Sequence, residues 1–386
     1  MPSELRVDKV SSTTSPYDPV FSTTGGALSH RNLIINGAMQ VAQRGTSVTT
    51  NGFGTVDRFK TDHNGVDENT TQAQHGLTSS DTGPYEEGFR SSFHITNGNQ
   101  TSGAGANDRI IIPHLIEAQD IANSGWNYIS TSSYITLSFW CKSSVAQNFY
   151  GRLQTSDGTA QNYAFETGSL SANTWTKITK TIPGNSNLQF NNDNNAGLTI
   201  EFNLFRGTDT TGSVTLNAWG AYNSSIRVPD MTSTWYTTND ATWEITGVQL
   251  ERGQVATPFE FKRYADELRM CQRYCVVYGD GTNGACEWIV NGAAANATTL
   301  YANYLLPVPP RSTPTVSCSG LMRISDNYVL DHTANPAGIG TQPTTQSSFT
   351  NGGRVYLNGF TGLTTGRNYG SGRESGTGKT TFEMEL

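Results

Sequence analysis

The feature that most constrains the fold is a two-residue alternation of apolar and polar positions, which recurs between Asn32 and about Phe261. Successive side chains of a β-strand point to opposite faces, so this period is typical of strands with one buried face. Clusters of Gly, Asn, Asp, Ser and Pro separate the alternating segments, which predicts an antiparallel β-sandwich. Two segments show the pattern most clearly, one with Ile135, Leu137, Phe139 and Cys141 on a single side and one with Leu198, Ile200, Phe202 and Leu204.

Composition agrees with an all-β fold and excludes several functional classes. The chain has 386 residues, of which 40 are Gly and 15% are charged, while 10% are aromatic. Disordered chains are poor in aromatic residues, so this chain is expected to fold. Because the net charge is −7 and no basic run occurs, we expect no nucleic-acid partner. No window approaches the roughly 18 apolar residues of a membrane helix, so we expect no membrane insertion.

The pattern divides the chain into three parts. Residues 1–31 are predicted to be an arm, because a segment such as SPYDPVFSTTGG is too polar to fold alone. Residues 32–261 are the predicted sandwich, with a β-bulge at Gly247, where the alternation changes phase. Residues 262–386 are predicted to hold one short helix in YADELRMCQRYC and then a smaller β unit. The apolar stripe of this helix is predicted to contain Tyr264, Leu268, Cys271 and Cys275.

No catalytic or metal-binding motif stands out in the sequence. The six His residues are scattered, no nucleophile elbow occurs, and the five Cys residues are predicted to be thiols, most of them buried. We therefore predict no enzymatic activity, no metal and no cofactor. A glycosidase needs only two carboxylates beside a sugar bond, so a glycan-degrading enzyme is one alternative. Its carboxylates would come from Asp57, Glu86, Glu87, Glu201, Glu251 and Glu260, although Glu201 is predicted to lie on the exposed side of its strand.

Aromatic residues in polar loops are the candidate binding residues. Trp219 and Tyr222 lie in NAWGAYNSS, and Trp235 and Tyr236 lie in TSTWYTTND. Aromatic faces beside amide and hydroxyl groups suit sugar rings, because sugar C–H faces stack and sugar hydroxyls form hydrogen bonds. The alternative is that these rings cap the sandwich or fill a subunit interface.

The segment RNLIINGAMQVAQRGTS, followed by VDRF, resembles the opening of a domain found in tail-fibre and other virion-surface proteins of bacteriophages. In that family the motif is N-L-x-I-N-G, then Q-R-G, then D-R-W, and Phe59 stands at the usual Trp position. The resemblance continues through SFWCKSS, WTKITKTIPG and the long segment from WEITGVQLE to CQRYC. LPVPPRSTPTV is also similar, with Pro310 where Met is more usual, so the resemblance covers about residues 30–320.

The resemblance implies a jelly-roll-like sandwich, a homotrimer and contact with host glycans. The arm is similar to N-terminal segments of marine and cyanobacterial phage fibres, which implies attachment to other tail or capsid proteins. The expected location is then the virion, as a tail fibre or surface appendage made in the host cytoplasm. A capsid decoration or tail connector protein with a purely assembly role is a further alternative.

The opening motif itself predicts a β-hairpin. Leu33 to Ile35 form a short apolar strand, Asn36-Gly37 is a strong turn signal, and Val41 begins a second strand. The charged residues that follow are predicted to form a buried or subunit-bridging network with a structural role, since Arg–carboxylate pairs are strong and directional. This network comprises Arg44, Asp57 and Arg58.

Overall fold

The computed structural model describes residues 30–279, 291–319, 322–326, 331–334, 338–342, 352–371 and 379–386. The predicted arm at residues 1–31 lies outside these ranges except for its last two residues, and Cys286 lies outside them as well. No helix among the described residues is long and apolar enough to cross a membrane.

Antiparallel strands build a β-sandwich from the first two thirds of the chain. The strands are β1 Ser47–Val48, β2 Asp62–Asn64, β3 Thr71–Gly76, β4 Ser91–Thr96, β5 Arg109–Glu117, β6 Tyr134–Ser143, β7 Asn148–Thr155, β8 Gln161–Ser169, β9 Thr176–Pro183, β10 Ala196–Arg206, β11 Trp219–Ala221 and β12 Thr242–Arg252. The first sheet has the order β1-β3-β4-β12-β6-β9, and the second has the order β11-β8-β7-β10-β5-β2. The prediction of an all-β, jelly-roll-like sandwich is confirmed.

The core lies between these two sheets, and the alternation predicted it. In β6 and β10 every apolar side chain assigned to the inner face is buried, and all of them belong to one hydrophobic cluster. Phe139 of the first sheet meets Phe202 of the second edge-on, with ring centroids 5.0 Å apart. Interdigitation of large side chains across two facing sheets is the packing that stabilises a sandwich.

The predicted bulge in β12 is confirmed. The register between β12 and β6 shifts between Thr246 and Gln249, and Gly247 has a φ of +64°. A side chain there would be strained, and its Cβ would lie 2.7 Å from Cζ of Phe89. Glycine is therefore required at the bulge both by its backbone conformation and by the ring beside it.

The opening motif forms a tight turn, so the predicted hairpin is wrong. Val248 donates its backbone N–H to the Gly37 carbonyl at 2.9 Å, and a Cβ on Gly37 would lie 2.0 Å from the Val248 oxygen. Asn36 has a φ of +61°, and its side-chain amide donates to the carbonyls of Val41 and Asp57 at 2.9 Å each. Gly37 thus docks the motif against the bulge of β12, while the Asn36 side chain fixes the turn through local hydrogen bonds.

A smaller β unit with its own core follows the sandwich. It begins with helix α3 at Tyr264–Gln272, and two further short helices that the sequence analysis missed, α1 Ala118–Ala122 and α2 Thr234–Thr237, belong to the sandwich. The strands of this unit are β13 Cys275–Tyr278, β14 Asn291–Ala294, β15 Thr299–Leu305, β16 Thr315–Ser319, β17 Met322–Ser325, β18 Asp331–Ala334, β19 Gly338–Gln342, β20 Gly352–Asn358, β21 Asn368–Ser371 and β22 Lys379–Glu383. They form sheets of order β13-β22-β16 and β18-β17-β21-β14-β15-β20-β19.

The stripe predicted for helix α3 is only partly correct. Cys271 is buried, but Tyr264 is 56% exposed and Cys275 already belongs to β13. The helix buries Glu267 instead, and this carboxylate accepts a hydrogen bond from the backbone N–H of Asn36. Burial of the Cys271 thiol raises its pKa well above its ordinary value, as expected of a structural cysteine.

Candidate functional site

Trp235 and Tyr236 belong to the hydrophobic core. Both lie on the short helix α2, with relative exposures of 0% and 1%. Trp235 donates its indole N–H to the Thr242 carbonyl at 3.0 Å, and Tyr236 stacks on Phe205 with ring centroids 4.3 Å apart. The prediction that these two rings bind glycans is wrong, because α2 turns their faces into the sandwich rather than toward solvent.

Trp219 lies at an edge of the second sheet and is half-buried. It is paired with Tyr163 of β8, and the two rings are 5.3 Å apart. Its indole N–H donates to the carbonyl of Pro183 at 2.7 Å. The carbonyl of Pro183, in β9 of the first sheet, therefore fixes the orientation of the ring, while part of the ring surface stays accessible.

A groove of about 310 Å³ lies beside Trp219. Its volume falls at the lower end of the range of about 300–1,000 Å³ that is usual for small-molecule sites. The lining residues come from β8, from β11 and from the segments before and after β11. Amide, hydroxyl and apolar groups share the lining, which consists of Asn162, Ser213, Val214, Thr215, Ala218, Trp219, Gly220, Ala221, Asn223 and Ile226.

Tyr222 lies next to this groove but does not line it. Its ring is half-buried and packs near two guanidinium groups, at 5.7 Å from that of Arg152 and 5.8 Å from that of Arg227. Arg227 also accepts a hydrogen bond at its carbonyl from the Asn162 side chain, at 3.0 Å. The loop after β11 is thus fastened to the outer face of the second sheet, which gives the groove a rigid wall.

A buried ion triad lies below that loop. Arg152 of β7 donates from Nε and Nη2 to the two carboxylate oxygens of Glu201 of β10, at 2.9 and 2.8 Å, and Arg206 donates to the same carboxylate at 2.9 Å. Although burial opposes ionisation, the two guanidinium groups hold the pKa of Glu201 well below its usual range. The prediction that Glu201 is exposed is wrong, because the segments after β10 and β11 cover this face of the sheet through Thr210 and Tyr222.

The structure also brings the predicted charge network together. Arg44 lies 3.8 Å from Asp57, and it pairs with Glu383 at 3.0 Å and with Glu385 at 3.1 Å. Glu385 bridges to Arg58, so Arg58 joins the network through the C-terminal segment. The sequence analysis did not predict that Glu383 and Glu385 belong to this network, because their contacts with Arg44 and Arg58 span more than 320 positions along the chain.

Burial gives this network a structural character. Arg58 is 1% exposed, its guanidinium lies 3.5 Å from the ring centroid of Tyr274, and it donates to the carbonyl of Leu115 at 2.6 Å. Burial raises the pKa of Asp57 to about 6, although Arg44 acts in the opposite direction. These contacts join Arg44, Asp57 and Arg58 to the segment after helix α3 and to strand β22, and they leave mainly Glu383 facing solvent.

The carboxylates considered for a glycosidase serve structural contacts. Glu251 accepts hydrogen bonds from the backbone and the hydroxyl of Thr257, at 2.8 and 2.6 Å. Glu260 accepts from the backbone N–H of Asn32 at 2.8 Å, and Glu87 forms an ion pair with Lys177 at 2.9 Å. Glu86 Oε2 is 3.3 Å from the Gly83 N–H.

A second cleft, of about 440 Å³, lies on the seven-stranded sheet of the C-terminal unit. Tyr301 and Asn303 alternate with buried Leu300 and Ala302 in β15, so they share one face. The guanidinium of Arg354, on the adjacent β20, lies 5.6 Å from the centroid of the Tyr301 ring. The sequence analysis missed this cleft, although the alternation in TLYANYL would have placed Tyr301 and Asn303 together. Its lining is Asn291, Gly292, Ala293, Tyr301, Asn303, Arg354 and Asn368.

Comparisons with known proteins give structural matches alone. No family model and no curated protein sequence matches this chain. One solved structure that matches is the enzymatically active domain of tailspike protein 4 of bacteriophage CBA120, at 13% identity and a TM-score of 0.30, covering 57% of this chain and 21% of that chain. The match thus spans about a fifth of the length of that tailspike domain.

Two other matches cover nearly all of a smaller protein. A putative sugar binding protein from Bacteroides thetaiotaomicron is 12% identical, with a TM-score of 0.29 and coverage of 58% of this chain and 100% of that chain. A carbohydrate-binding module described as CBM4 is 12% identical, with a TM-score of 0.28 and coverage of 56% and 98%. At TM-scores this low the matches carry no argument about what this chain binds.

Proposed function

We propose that this protein is a structural component of a bacteriophage virion, a homotrimeric tail fibre or appendage that binds host-surface glycans and does not cleave them. The observation that carries the glycan-binding part is the groove beside Trp219. It combines a fixed aromatic ring with amide and hydroxyl groups from Asn162, Ser213, Thr215 and Asn223. Such a mixture can stack on a sugar ring and pair with its hydroxyl groups.

The assignment to a virion rests on the resemblance of the opening motif to phage virion-surface domains. That motif has a physical role in the fold, since Gly37 bonds to Val248 in the bulge of β12 and the Asn36 side chain bonds to Val41 and Asp57. In this proposal the arm at residues 1–31 attaches the protein to other tail or capsid proteins, and three copies of the chain assemble in the host cytoplasm.

Glycan binding can be tested directly with the purified chain. A glycan array, followed by calorimetric titration of the best ligand, should give saturable binding that Trp219→Ala and Asn223→Ala each weaken at least tenfold. Asn223 is exposed and provides a variant that leaves the packing of the sandwich unchanged. Tyr264→Ala, which removes an aromatic ring that is 56% exposed and belongs to helix α3, is the matched control and should bind like the wild type.

Three outcomes would contradict parts of the proposal. Equal loss of binding in the Tyr264→Ala control would mean that the groove is not the site. Release of shortened oligosaccharides from the bound glycan would show that the protein is an enzyme. A monomer in native mass spectrometry of the full chain would contradict the homotrimer.

A further inference from the structure

Three residues that are far apart in sequence converge on the face of the first sheet that points away from the core. They are His75 of β3, His94 of β4 and Glu244 of β12, and one ligand atom from each lies within 4.8 Å of the other two. His94 stands directly opposite Glu244 across β4 and β12, while His75 stands opposite Ser92 on the other side of β4. Three adjacent strands therefore hold the three side chains, so little backbone freedom is lost when they bind a ligand.

Two separations within this cluster are close to those around a small tetrahedral ion. Nδ1 of His75 is 3.1 Å from one Glu244 oxygen, and Nδ1 of His94 is 3.3 Å from the other. Ligand atoms that each lie about 2.0–2.1 Å from a tetrahedral zinc ion are roughly 3.3 Å from one another. Each imidazole Nδ1 already lies at about this distance from one Glu244 oxygen, and the three ligand atoms lie within 4.8 Å of one another.

Neighbouring hydroxyl groups orient the cluster as they would orient metal ligands. Nε2 of His94 lies 3.2 Å from Oγ1 of Thr96, which leaves Nδ1 for the cluster, and the Ser92 hydroxyl donates to Glu244 at 2.7 Å. Nδ1 of His94 is buried and faces a Glu244 oxygen at 3.3 Å without the geometry of a hydrogen bond. Such outer contacts, which fix the tautomer and the direction of a ligating imidazole, are characteristic of metal sites.

Lys142 already supplies a positive charge at this position. Its ammonium group lies 2.9 Å from Glu244, but it also pairs with Asp81 at 3.0 Å and packs 4.8 Å from the ring centroid of Trp175. Because Asp81 and Trp175 remain as partners, Lys142 can release Glu244 and still be stabilised. It therefore acts as a competitor for a metal ion at this site.

We propose that His75, His94 and Glu244 form a zinc-binding site that ties β3, β4 and β12 together, with solvent at the fourth position. Two imidazoles and one carboxylate favour zinc over magnesium and calcium, which prefer oxygen ligands throughout. His75 is about half exposed, with a side-chain exposure of 49%, so the ion can enter from solvent. Lys142 tunes the affinity, because zinc must displace its ammonium group from Glu244.

The test is titration of the chelator-treated full chain with Zn²⁺. Calorimetry measures the affinity and the number of ions bound, and thermal unfolding measures the Tm with and without zinc. We expect one ion per chain and a higher Tm when zinc is bound. His75→Ala and His94→Ala should each weaken binding at least tenfold, since loss of an outer-shell partner alone costs about 10–100-fold. Lys142→Met should tighten binding several-fold, an effect that a weakened fold would not produce. His30→Ala, which removes an exposed imidazole outside the cluster, should leave the affinity unchanged.

The visible absorption of Co²⁺ in the same protein gives a second readout. A tetrahedral spectrum that His75→Ala abolishes would support the site. Equal Zn²⁺ affinity in the wild type, His75→Ala and His30→Ala would overturn the proposal by placing the ion elsewhere. Binding by neither the wild type nor Lys142→Met would also overturn it, as would binding by Lys142→Met alone, since Lys142 would then exclude the metal from the natural protein.

Discussion

Glu201→Gln should destabilise the sandwich more than any ordinary surface change. This substitution keeps the shape of the side chain but leaves the guanidinium groups of Arg152 and Arg206 buried without an anion. The three side chains are only 4%, 4% and 1% exposed for Arg152, Glu201 and Arg206. An uncompensated charge in such a position cannot be hydrated without opening the loop after β10.

The expected magnitude follows from the geometry of the triad. Two ion pairs with charge centres about 4 Å apart contribute roughly 4 kcal/mol each at an effective dielectric constant of about 20. Loss of both pairs is partly offset, because the desolvation penalty of the carboxylate, several kcal/mol, is lost as well. The free energy of unfolding should therefore fall by about 3–5 kcal/mol, the range found when one partner of a buried pair is removed. At about 2–4 °C per kcal/mol, the Tm should fall by about 6–20 °C.

Urea unfolding followed by tryptophan fluorescence would measure this loss. The matched control is Glu166→Gln on β8 of the same sheet, where a half-buried carboxylate accepts a hydrogen bond from the Asn148 side chain at 2.8 Å. This control should cost about 1 kcal/mol or less. In an Arg206→Met background, Glu201→Gln should cost less than in the wild type, because only one guanidinium group is then left unpaired. Equal losses for Glu201→Gln and Glu166→Gln would refute the reasoning.

Two further predictions concern the first sheet. Gly247→Ala should reduce the free energy of unfolding by about 2–4 kcal/mol, because the new side chain would combine a positive φ with a contact to Phe89. Gly220 has open space around it, so Gly220→Ala should be nearly neutral in the same urea titration. Equal costs for the two variants would contradict the account of the bulge. For Asp81, burial raises the pKa but surrounding donors, including the Lys142 ammonium, outweigh it and lower the pKa to about 2. A depressed folded-state pKa gives stability that is present above about pH 4 and is lost as the pH falls toward 2. The Tm difference between the wild type and Asp81→Asn should therefore shrink as the pH falls from about 4 to about 2. A constant Tm difference would be inconsistent with the pairing of Asp81 and Lys142.

Much of the sandwich could be predicted from the sequence because its inner faces obey a strict alternation. β6 and β10 are the clearest examples, and the phase change at Gly247 marked the bulge. β5 gave no such signal, since RIIIPHLIE is a continuous apolar run interrupted by Pro113. The structure accommodates this proline because β2 pairs only with residues 109–111, which leaves Pro113 on an open edge at that side.

The sites were harder to predict because they depend on contacts between distant segments. Trp235 looked like a loop residue among polar neighbours, but a single helical turn buries it. For Glu201 the error was the opposite one, since a buried residue was predicted to be exposed. The alternation in β10 places Glu201 on the outer face of the sheet but does not show that a loop covers that face. His75, His94 and Glu244 carry no local motif, because the order of the strands alone brings them together.

The measurement that tests the central claim most directly is a structure of the purified protein bound to the glycan that it selects from an array. The account predicts a sugar ring in the groove beside Trp219, with its hydroxyl groups within hydrogen-bond distance of Asn162 or Asn223. A glycan bound in the cleft beside Tyr301, with the groove free of sugar, would contradict the assignment of the site. A protein that selects no glycan would contradict the proposed function itself.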